Sequence, residues 1–486
     1  MKEVSVKRNA ILNIIYTLVN ILFPIVTFPY VSRVLSVEKM GTVSFFSTIS
    51  NYAIMFGSLG VSVYGIRACA KIRNDKKKLN QTVAELEVIN LFATSVVIIL
   101  LIVISIYVNK LSSEPVLLII NLILIFSAAF SFDWVYSGIE QYDYITKRTI
   151  TIKFISLVLV YVFVREQKDY YIYALIMAFS TVGANILNLL YIRKYVSVSG
   201  LNRLQIKRHL GPMLLLFSSI LAVNVYTNLD TVMLGFISGD REVGLYTVAV
   251  KSKTLLLTTI NAISTVLLPR LSYYFSNKME DAYNRTIKKS VSIILMISIP
   301  LTFFFIIEAR ECILLLGGQD YIEATLCMQI IMPILLISSF SNITGNQILI
   351  PLGKDIFFMR AVVAGAVVNL LLNIFMIPNY GAVGAAISTL FAEISQMCVQ
   401  LKYSKKYIIS NVNWKTVLKI ALSALMGSII LLMIKRMFSY SAFINLMLFS
   451  ICYFVIYTFG LIIMKEYSFI EILGEIVDKV LRKRSK

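Results

Sequence analysis

The stretch "VSRVLSVEKMGTVSFFSTIS", residues 31–50, closes one apolar run, crosses a short charged turn and opens a second run at Gly41. A weaker echo, "LGFISGDREVGLYTVAVKSK", begins 203 positions later at Leu234, with Gly244 where Gly41 stands. Two apolar hairpins can agree in composition by chance. These two agree in order: run, charged turn, glycine, run. Pro24 and Pro29 interrupt the first run, and Arg33 sits near its end. Whether the runs are buried elements or membrane spans depends on their length and number.

The chain has 486 residues, 58% hydrophobic and 15% charged, with a mean hydropathy of +0.80. A soluble globular chain is about half apolar and a quarter charged. Runs of about 20 apolar residues recur from end to end, each long enough to cross a bilayer as a helix. The expected fold is an all-α polytopic membrane protein of 14 transmembrane helices, at about 10–36, 41–65, 83–108, 115–139, 147–164, 170–192, 211–237, 243–269, 290–308, 322–350, 356–378, 381–402, 416–434 and 442–464. The first run is too long for a signal-peptide core and lacks a small-residue cleavage site, so it is kept as a span. Five cysteines (Cys69, Cys312, Cys327, Cys398, Cys452) show no pairing or metal-ligand spacing and read as small buried hydrophobes.

The net charge of +20 and pI of 9.6 would point to nucleic acid in a soluble protein. Here they have a simpler reading. With the N-terminus inside, the inner segments hold about 32 Lys and Arg and the outer segments about 8. That asymmetry puts both termini in the cytoplasm. The longest loop, "RLSYYFSNKMEDAYNRTIKK" (270–289), falls inside, and no outer loop is large enough for a catalytic domain. The tail "FIEILGEIVDKVLRKRSK" (469–486) reads as an amphipathic interfacial helix with a basic end, or as a solvated tail.

The two copies of the opening stretch lie six spans apart, so they share one orientation. Parallel six-span repeats are a transporter architecture, with the binding site where the halves meet. The chain therefore divides into residues 1–209 (spans 1–6), 210–407 (spans 7–12) and 408–486 (spans 13–14 and the tail). No G-x-x-x-x-G-K-[ST] phosphate loop is present, hence no built-in ATP motor. His209, the one histidine, lies in a basic segment and reads as solvated, which leaves no basis for His-centred catalysis or a metal site. "GGQDY" (317–321) reads as a turn. No catalytic residue, metal or cofactor is expected, and no nucleic acid.

Charges left inside spans are the functional candidates, because exposing one to lipid costs several kcal/mol. Lys153, Arg360 and Lys419 lie close enough to an inner end for their stems to snorkel out. Lys251 and Lys253 fall about 12–15 Å into span 8, near the middle of the membrane, where a wet cavity is expected. Spaced by two residues, they diverge by about 200° on a helix, so only one faces that cavity fully. Asn224, Asn228 and Tyr226 surround Asp230 in span 7 with polar groups. Asp230 reads either as a partner for a span-8 lysine or as a coupling site. Glu393, in span 12 beyond the small residues of "GAVGAA" (381–386), is a candidate proton or cation site. Asp133 reads as a packing or gate residue. Pro24 and Pro29 leave the carbonyls of Asn20 and Ile25 without their helical donors, so a hinge is expected there. Arg33 is then expected at the outer gate.

Four stretches carry a family resemblance: "FPIVTFPYVSRVLSVEKMG" (23–41), "FDWVYSGIEQYDYIT" (132–146), "NLDTVMLGFISGDREVGLYTVAV" (228–250) and "NLLLNIFMIPNYGAVGAAISTLFAE" (369–393). In this order, on 14 spans, the chain resembles the Wzx-type flippases of the multidrug/oligosaccharidyl-lipid/polysaccharide (MOP) superfamily. The resemblance implies two six-helix lobes around a central cavity, with two further C-terminal helices, working by alternating access. It also implies a polyprenyl-pyrophosphate-linked oligosaccharide moved from the cytoplasmic to the outer leaflet of a prokaryotic cytoplasmic membrane, for capsule, O-antigen or exopolysaccharide synthesis. The glycine usual after "RVL" is Ser36 here, which is expected to loosen the turn.

The charge reading agrees. A pyrophosphate-glycan head is anionic, and Lys251, Lys253, Arg33 and Arg360 suit it, while Asn224 and Asn228 suit sugar hydroxyls. The alternative is a cation-coupled multidrug antiporter of the same superfamily. It calls for an acidic cavity, whereas the deepest charges here are lysines. A membrane polymerase or ligase would need a large catalytic outer loop, and a polymerase as partner is left open.

Overall fold

The computed structural model describes residues 6–197, 204–438, 440–467, 469–471 and 474. The basic tail, read above as an amphipathic helix, lies almost wholly outside them. Among the described residues every regular element is helical. The chain packs as two compact units, Met1–Gly244 and Leu245–Lys486.

The first unit contains α1 (Val6–Val34), α2 (Val37–Ser58), α3 (Val61–Ile72), α4 (Lys76–Tyr107), the short α5 (Asn109–Ser112), α6 (Pro115–Ala128), α7 (Asp133–Gly138), α8 (Tyr142–Phe163), α9 (Tyr170–Ile192) and α10 (Lys207–Ile237). The breaks have local causes. Ser36 is extended (φ −64°) and its hydroxyl accepts the amide of Lys39 at 3.3 Å, so it caps α2 and does not loosen the turn. Leu59 and Gly60 both take left-handed φ and end α2, and α3 resumes after a 41° bend. Asp75 caps α4 by accepting the amide of Lys78. Pro115 stands in the first turn of α6, where its missing N–H is harmless. Helix α1 stays continuous through Pro24 and Pro29, with the Thr27 hydroxyl donating to the carbonyl of Phe23 at 2.9 Å.

Helix α11 (Asp240–Ser276) starts in the first unit and continues into the second. It is followed by α12 (Glu280–Ile307), α13 (Ala309–Leu316), α14 (Ala324–Ile331), α15 (Ile334–Asn342), a π-helical turn (Ile343–Leu349), α16 (Asp355–Asn411), α17 (Trp414–Met437) and α18 (Ala442–Ile463). At 1.5 Å per residue an unbroken α16 would span about 85 Å, nearly three times the hydrocarbon core. Gly381 resolves this: at φ 51°, ψ −128° it turns the chain, so two expected spans fall within α16. A Cβ on Gly384 would lie 2.3 Å from the carbonyl oxygen of Met376, so only glycine lets the two arms approach so closely.

The last two helices are integral to the second unit. Tyr457 donates to the carbonyl of Met296 at 2.9 Å, and Tyr453 packs on Phe304. Lys435 reaches both carboxylate oxygens of the buried Glu308 at 3.1 Å. At the other end of α17, Thr416 donates to Glu466 at 2.7 Å.

Among the described residues ten helices are long and apolar enough to cross a membrane, or 11 with α2 and α3 joined. Their outer faces are apolar: Phe92 is 72% exposed, Phe154 64% and Phe375 65%. Water would not tolerate so many bare aromatics, and lipid does. The cysteine reading needs correction. Cys69, Cys312 and Cys327 are buried, but Cys398 is exposed and Cys452 half-buried, because lipid-facing positions are as hospitable to a thiol as the core.

Candidate functional site

The repeat seen in the sequence has a physical counterpart. A Cβ added at Gly41 would stand 1.8 Å from the carbonyl oxygen of Asp240, and one at Gly244 would stand 2.2 Å from that of Val37. Val37 and Asp240 are themselves equivalent, 203 positions apart. The contact is reciprocal, as at a local two-fold axis, and both glycines are required by backbone passing backbone. Around it Asp240 accepts from Lys110 at 2.6 Å and from Thr42 at 2.9 Å. Glu114 accepts from Tyr171 at 2.6 Å and pairs with Lys39 at 3.6 Å. Arg33, exposed at the end of α1, folds its guanidinium back to the carbonyl of Pro29 at 2.6 Å.

At the opposite, lysine- and arginine-rich end of the first unit two ion clusters are buried. Asp133 lies in the first turn of α7. It accepts from Arg148 of α8 at 2.8 Å and from Asn188 of α9 at 2.9 Å, and Asn188 also accepts from Arg148. Arg148 is only 7% exposed. The sequence reading did not single it out, because distance along a helix does not reveal which face a side chain takes. The second cluster centres on Glu85 of α4, which is fully buried. It accepts from Arg208 at 2.6 Å, from the amide of Gln205 at 2.7 Å and from Gln81 at 3.0 Å, and sits 2.8 Å from His209. His209, expected to be solvated, is 4% exposed within α10, its other ring nitrogen 2.9 Å from the Tyr64 hydroxyl. Glu85 escaped the sequence reading because it falls among the charges leading into the span.

Of the polar residues read around Asp230, Asn224 donates to the carbonyl of Ile220 at 3.0 Å. Its own carbonyl accepts from Tyr52 at 3.1 Å. Asn228 donates to Thr227 at 3.0 Å, and Asp230 is buried at 1% exposure. The side chain of Tyr226 lies outside the described residues. The first unit thus holds Arg33, Pro24, Pro29, Asp133, Asn224, Asn228 and Asp230, while Lys251, Lys253, Arg360 and Glu393 belong to the second.

In the second unit Lys251 and Lys253 are half-buried, flanking the buried Ser252, whose hydroxyl donates to Val248 at 2.8 Å. Lys253 makes no ion pair among the described residues. Arg360 is exposed, its guanidinium 5.4 Å from the centre of the Phe357 ring. Glu393 is buried on the second arm of α16, one turn beyond Thr389, whose hydroxyl lies 2.9 Å from that of Tyr246. On the first arm the buried Asn373 donates to Asn369 at 3.1 Å. A further polar layer surrounds the π-helical turn: Gln347 donates to Ser264 at 2.7 Å and accepts from Ser290 at 2.6 Å, and Thr344 donates to Gln400 at 2.6 Å. The sequence signal for it, "SNITGNQ" (341–347), is a polar cluster inside an apolar run. No group of three or more His, Cys, Asp or Glu among the described residues could hold a metal ion.

A polytopic helical chain with an internal repeat and buried polar groups on its helices is of the membrane-transporter class. A family model described as polysaccharide biosynthesis protein matches residues 6–275, and a second, MatE, matches residues 216–375. The first covers more than half of the chain, which therefore belongs to the polysaccharide biosynthesis protein family, in the Wzx-type branch that its sequence resembles. A relative from Escherichia coli (strain K12), named "Putative O-antigen transporter", is 24% identical over 394 residues, covering 80% of this chain and 94% of the relative. One of the same name from Shigella dysenteriae is 25% identical over 405 residues, covering 82% of this chain and all of the relative. Among solved structures, the lipid II flippase MurJ in an inward closed conformation superposes with a TM-score of 0.73 at 16% identity, over 94% of this chain and 99% of that one. An inward-facing multidrug resistance MATE transporter gives a TM-score of 0.66 at 13% identity, over 81% and 95%.

Proposed function

We propose that this chain is a flippase that carries a polyprenyl-pyrophosphate-linked oligosaccharide from the cytoplasmic to the outer leaflet by alternating access. The product feeds capsule, O-antigen or exopolysaccharide synthesis. The observation that carries this reading is the pair Lys251 and Lys253: two half-buried cations in the body of a helix read as a span, with Lys253 in no ion pair among the described residues. They suit an anionic head group and oppose a cationic drug. The names of the Escherichia coli and Shigella relatives and of the MurJ structure support the same substrate class. The likeness to multidrug transporters is one of fold and supports only the antiporter alternative.

Fourteen crossings follow if α2 with α3 forms one span, α16 two, and α8 and α11 one each beside the other nine. The charge asymmetry of the loops supports the same reading, with both termini in the cytoplasm of a prokaryotic cell. The division into residues 1–209, 210–407 and 408–486, around a central cavity, is part of the same reading. Arg33 and Arg360 serve as accessory cations, Asn224 and Asn228 as partners for sugar hydroxyls, and Pro24 and Pro29 as the hinge of α1. Asp230 and Glu393 are the coupling candidates. Asp133, held by Arg148, acts as a packing residue of the inner end. The membrane potential alone also favours export of negative charge, by about 2.3 kcal/mol per charge per 100 mV.

The test is deletion of the protein in its own cell. Lipid-linked glycan is expected to accumulate on the cytoplasmic leaflet, with loss of surface polysaccharide. Normal surface polysaccharide together with new sensitivity to cationic drugs would favour the antiporter.

A further inference from the structure

Between α8 and α9, at the lysine- and arginine-rich end of the first unit, lies a cleft of about 550 Å³ that the transport reading does not use. Its walls differ. One is polar and aromatic: Lys147 and Arg148 with Asp143 and Thr151, and the stacked rings of Tyr144 and Tyr191, 4.1 Å apart and 16° from parallel. The other is Leu187 and Leu190, and Leu190 is 61% exposed on the apolar face that α9 turns outward. Lys194 stands 5.3 Å above the Tyr191 ring.

The polar wall is not satisfied. The Tyr144 hydroxyl and the Nε–H of Arg148 are buried without a hydrogen-bond partner among the described residues. A buried unmet donor costs about 1–3 kcal/mol. Both residues line the cleft through other atoms, and these two donors lie beneath its wall. The charges on the wall show which ligand suits it. Arg148 is committed to Asp133 through its Nη atoms. Lys147 pairs with Asp143 one turn away at 2.9 Å, but with side chains 74% and 41% exposed that pair is weak and free to exchange. Lys147 and Lys194 are thus available cations over an aromatic floor, beside an apolar wall that opens on the membrane face. Soluble anions need no such wall. Basic pockets between membrane helices at this end suit lipid phosphates.

We infer that the α8–α9 cleft binds the phosphate head group of an anionic membrane phospholipid. Lys147 and Lys194 face the phosphate, Tyr144 and Tyr191 face the glycerol, and Leu187 and Leu190 flank the first methylenes of the acyl chains. The site rests on the membrane reading of the chain and not on the identity of the transported substrate.

The full-length protein, purified in detergent, is titrated with phosphatidylglycerol or phosphatidylcholine while its Tm is followed, and lipid retained after washing is counted by mass spectrometry. Phosphatidylglycerol is expected to raise Tm by several degrees and phosphatidylcholine not at all. Lys147→Gln with Lys194→Gln, and separately Leu190→Trp filling the cleft, should each remove at least half of that rise and the retained lipid. Lys76→Gln with Lys77→Gln, exposed elsewhere at the same end, should leave both unchanged. An equal rise in the cleft variants, an equal loss in the control, or an equal response to phosphatidylcholine overturns the site. A full rise with glycerol phosphate alone, or retention of lipid-linked glycan in place of phosphatidylglycerol, overturns the phospholipid as its occupant.

Discussion

Where α2 presents Thr48 and Ser50, α11 presents Lys251 and Lys253, at equivalent places of the repeat. Thr48 and Ser50 are buried and spend their hydroxyls locally, Thr48 on the carbonyl of Ser44 at 2.9 Å and Ser50 on Asn121 of α6. The lysines are half-buried, and Ser252 between them is buried and donates to the carbonyl of Val248. Both copies keep what the frame needs, a glycine passing a carbonyl, and differ in what they offer beyond it. The first copy closes its hydroxyls into packing. The second leaves cations in the body of a long helix, which is costly in the span proposed for it unless something uses them. The difference teaches that the repeat supplies geometry and one copy supplies charge.

The strongest way to break this comparison is to give the first copy the second copy's charge. Ser50→Lys is expected to yield no folded protein, since an unpaired charge at a fully buried site costs more than about 3 kcal/mol. The reverse change, Lys253→Ser, should fold with little change in Tm. Size-exclusion profiles in detergent distinguish the two, and equal tolerance would erase the asymmetry. A second test concerns what the copies share. Gly41→Ala and Gly244→Ala should each cost about 1–3 kcal/mol, because a Cβ at either place must push backbone apart. If one is costly and the other silent in thermal unfolding, the reciprocal contact is wrong. The smallest effect sits at the turn before each helix. Ser36→Gly should lower stability by only a few tenths of a kcal/mol. Gly239→Ser, at φ 91°, should cost about 1–2 kcal/mol, read as the larger fall in Tm.

Much of the fold was legible in the sequence because membrane helices advertise themselves by length and apolarity. The turn at Gly381 and the glycines of the repeat were visible as small residues between runs. The reading failed where a charge near a span end had to be assigned a face. His209 was taken as solvated and Arg148 was not singled out, because position along a helix gives depth and no direction. Glu85 went unseen for the same reason, though Arg208, His209 and Gln81 converge on it. Asn188 and the polar layer at the π-helical turn depend on helices that meet only in the folded chain. Lys251 and Lys253 could be singled out as candidates because no helix end is within their reach, which holds whatever face they take.

The central claim is that the second copy's lysines receive the anionic head of a lipid-linked glycan. Its most direct test converts the second copy to the first, Lys251→Thr with Lys253→Ser, and measures flipping of lipid-linked oligosaccharide in reconstituted vesicles. The account predicts a folded protein whose flipping falls to that of protein-free vesicles. Flipping at the rate of the unchanged chain would contradict it.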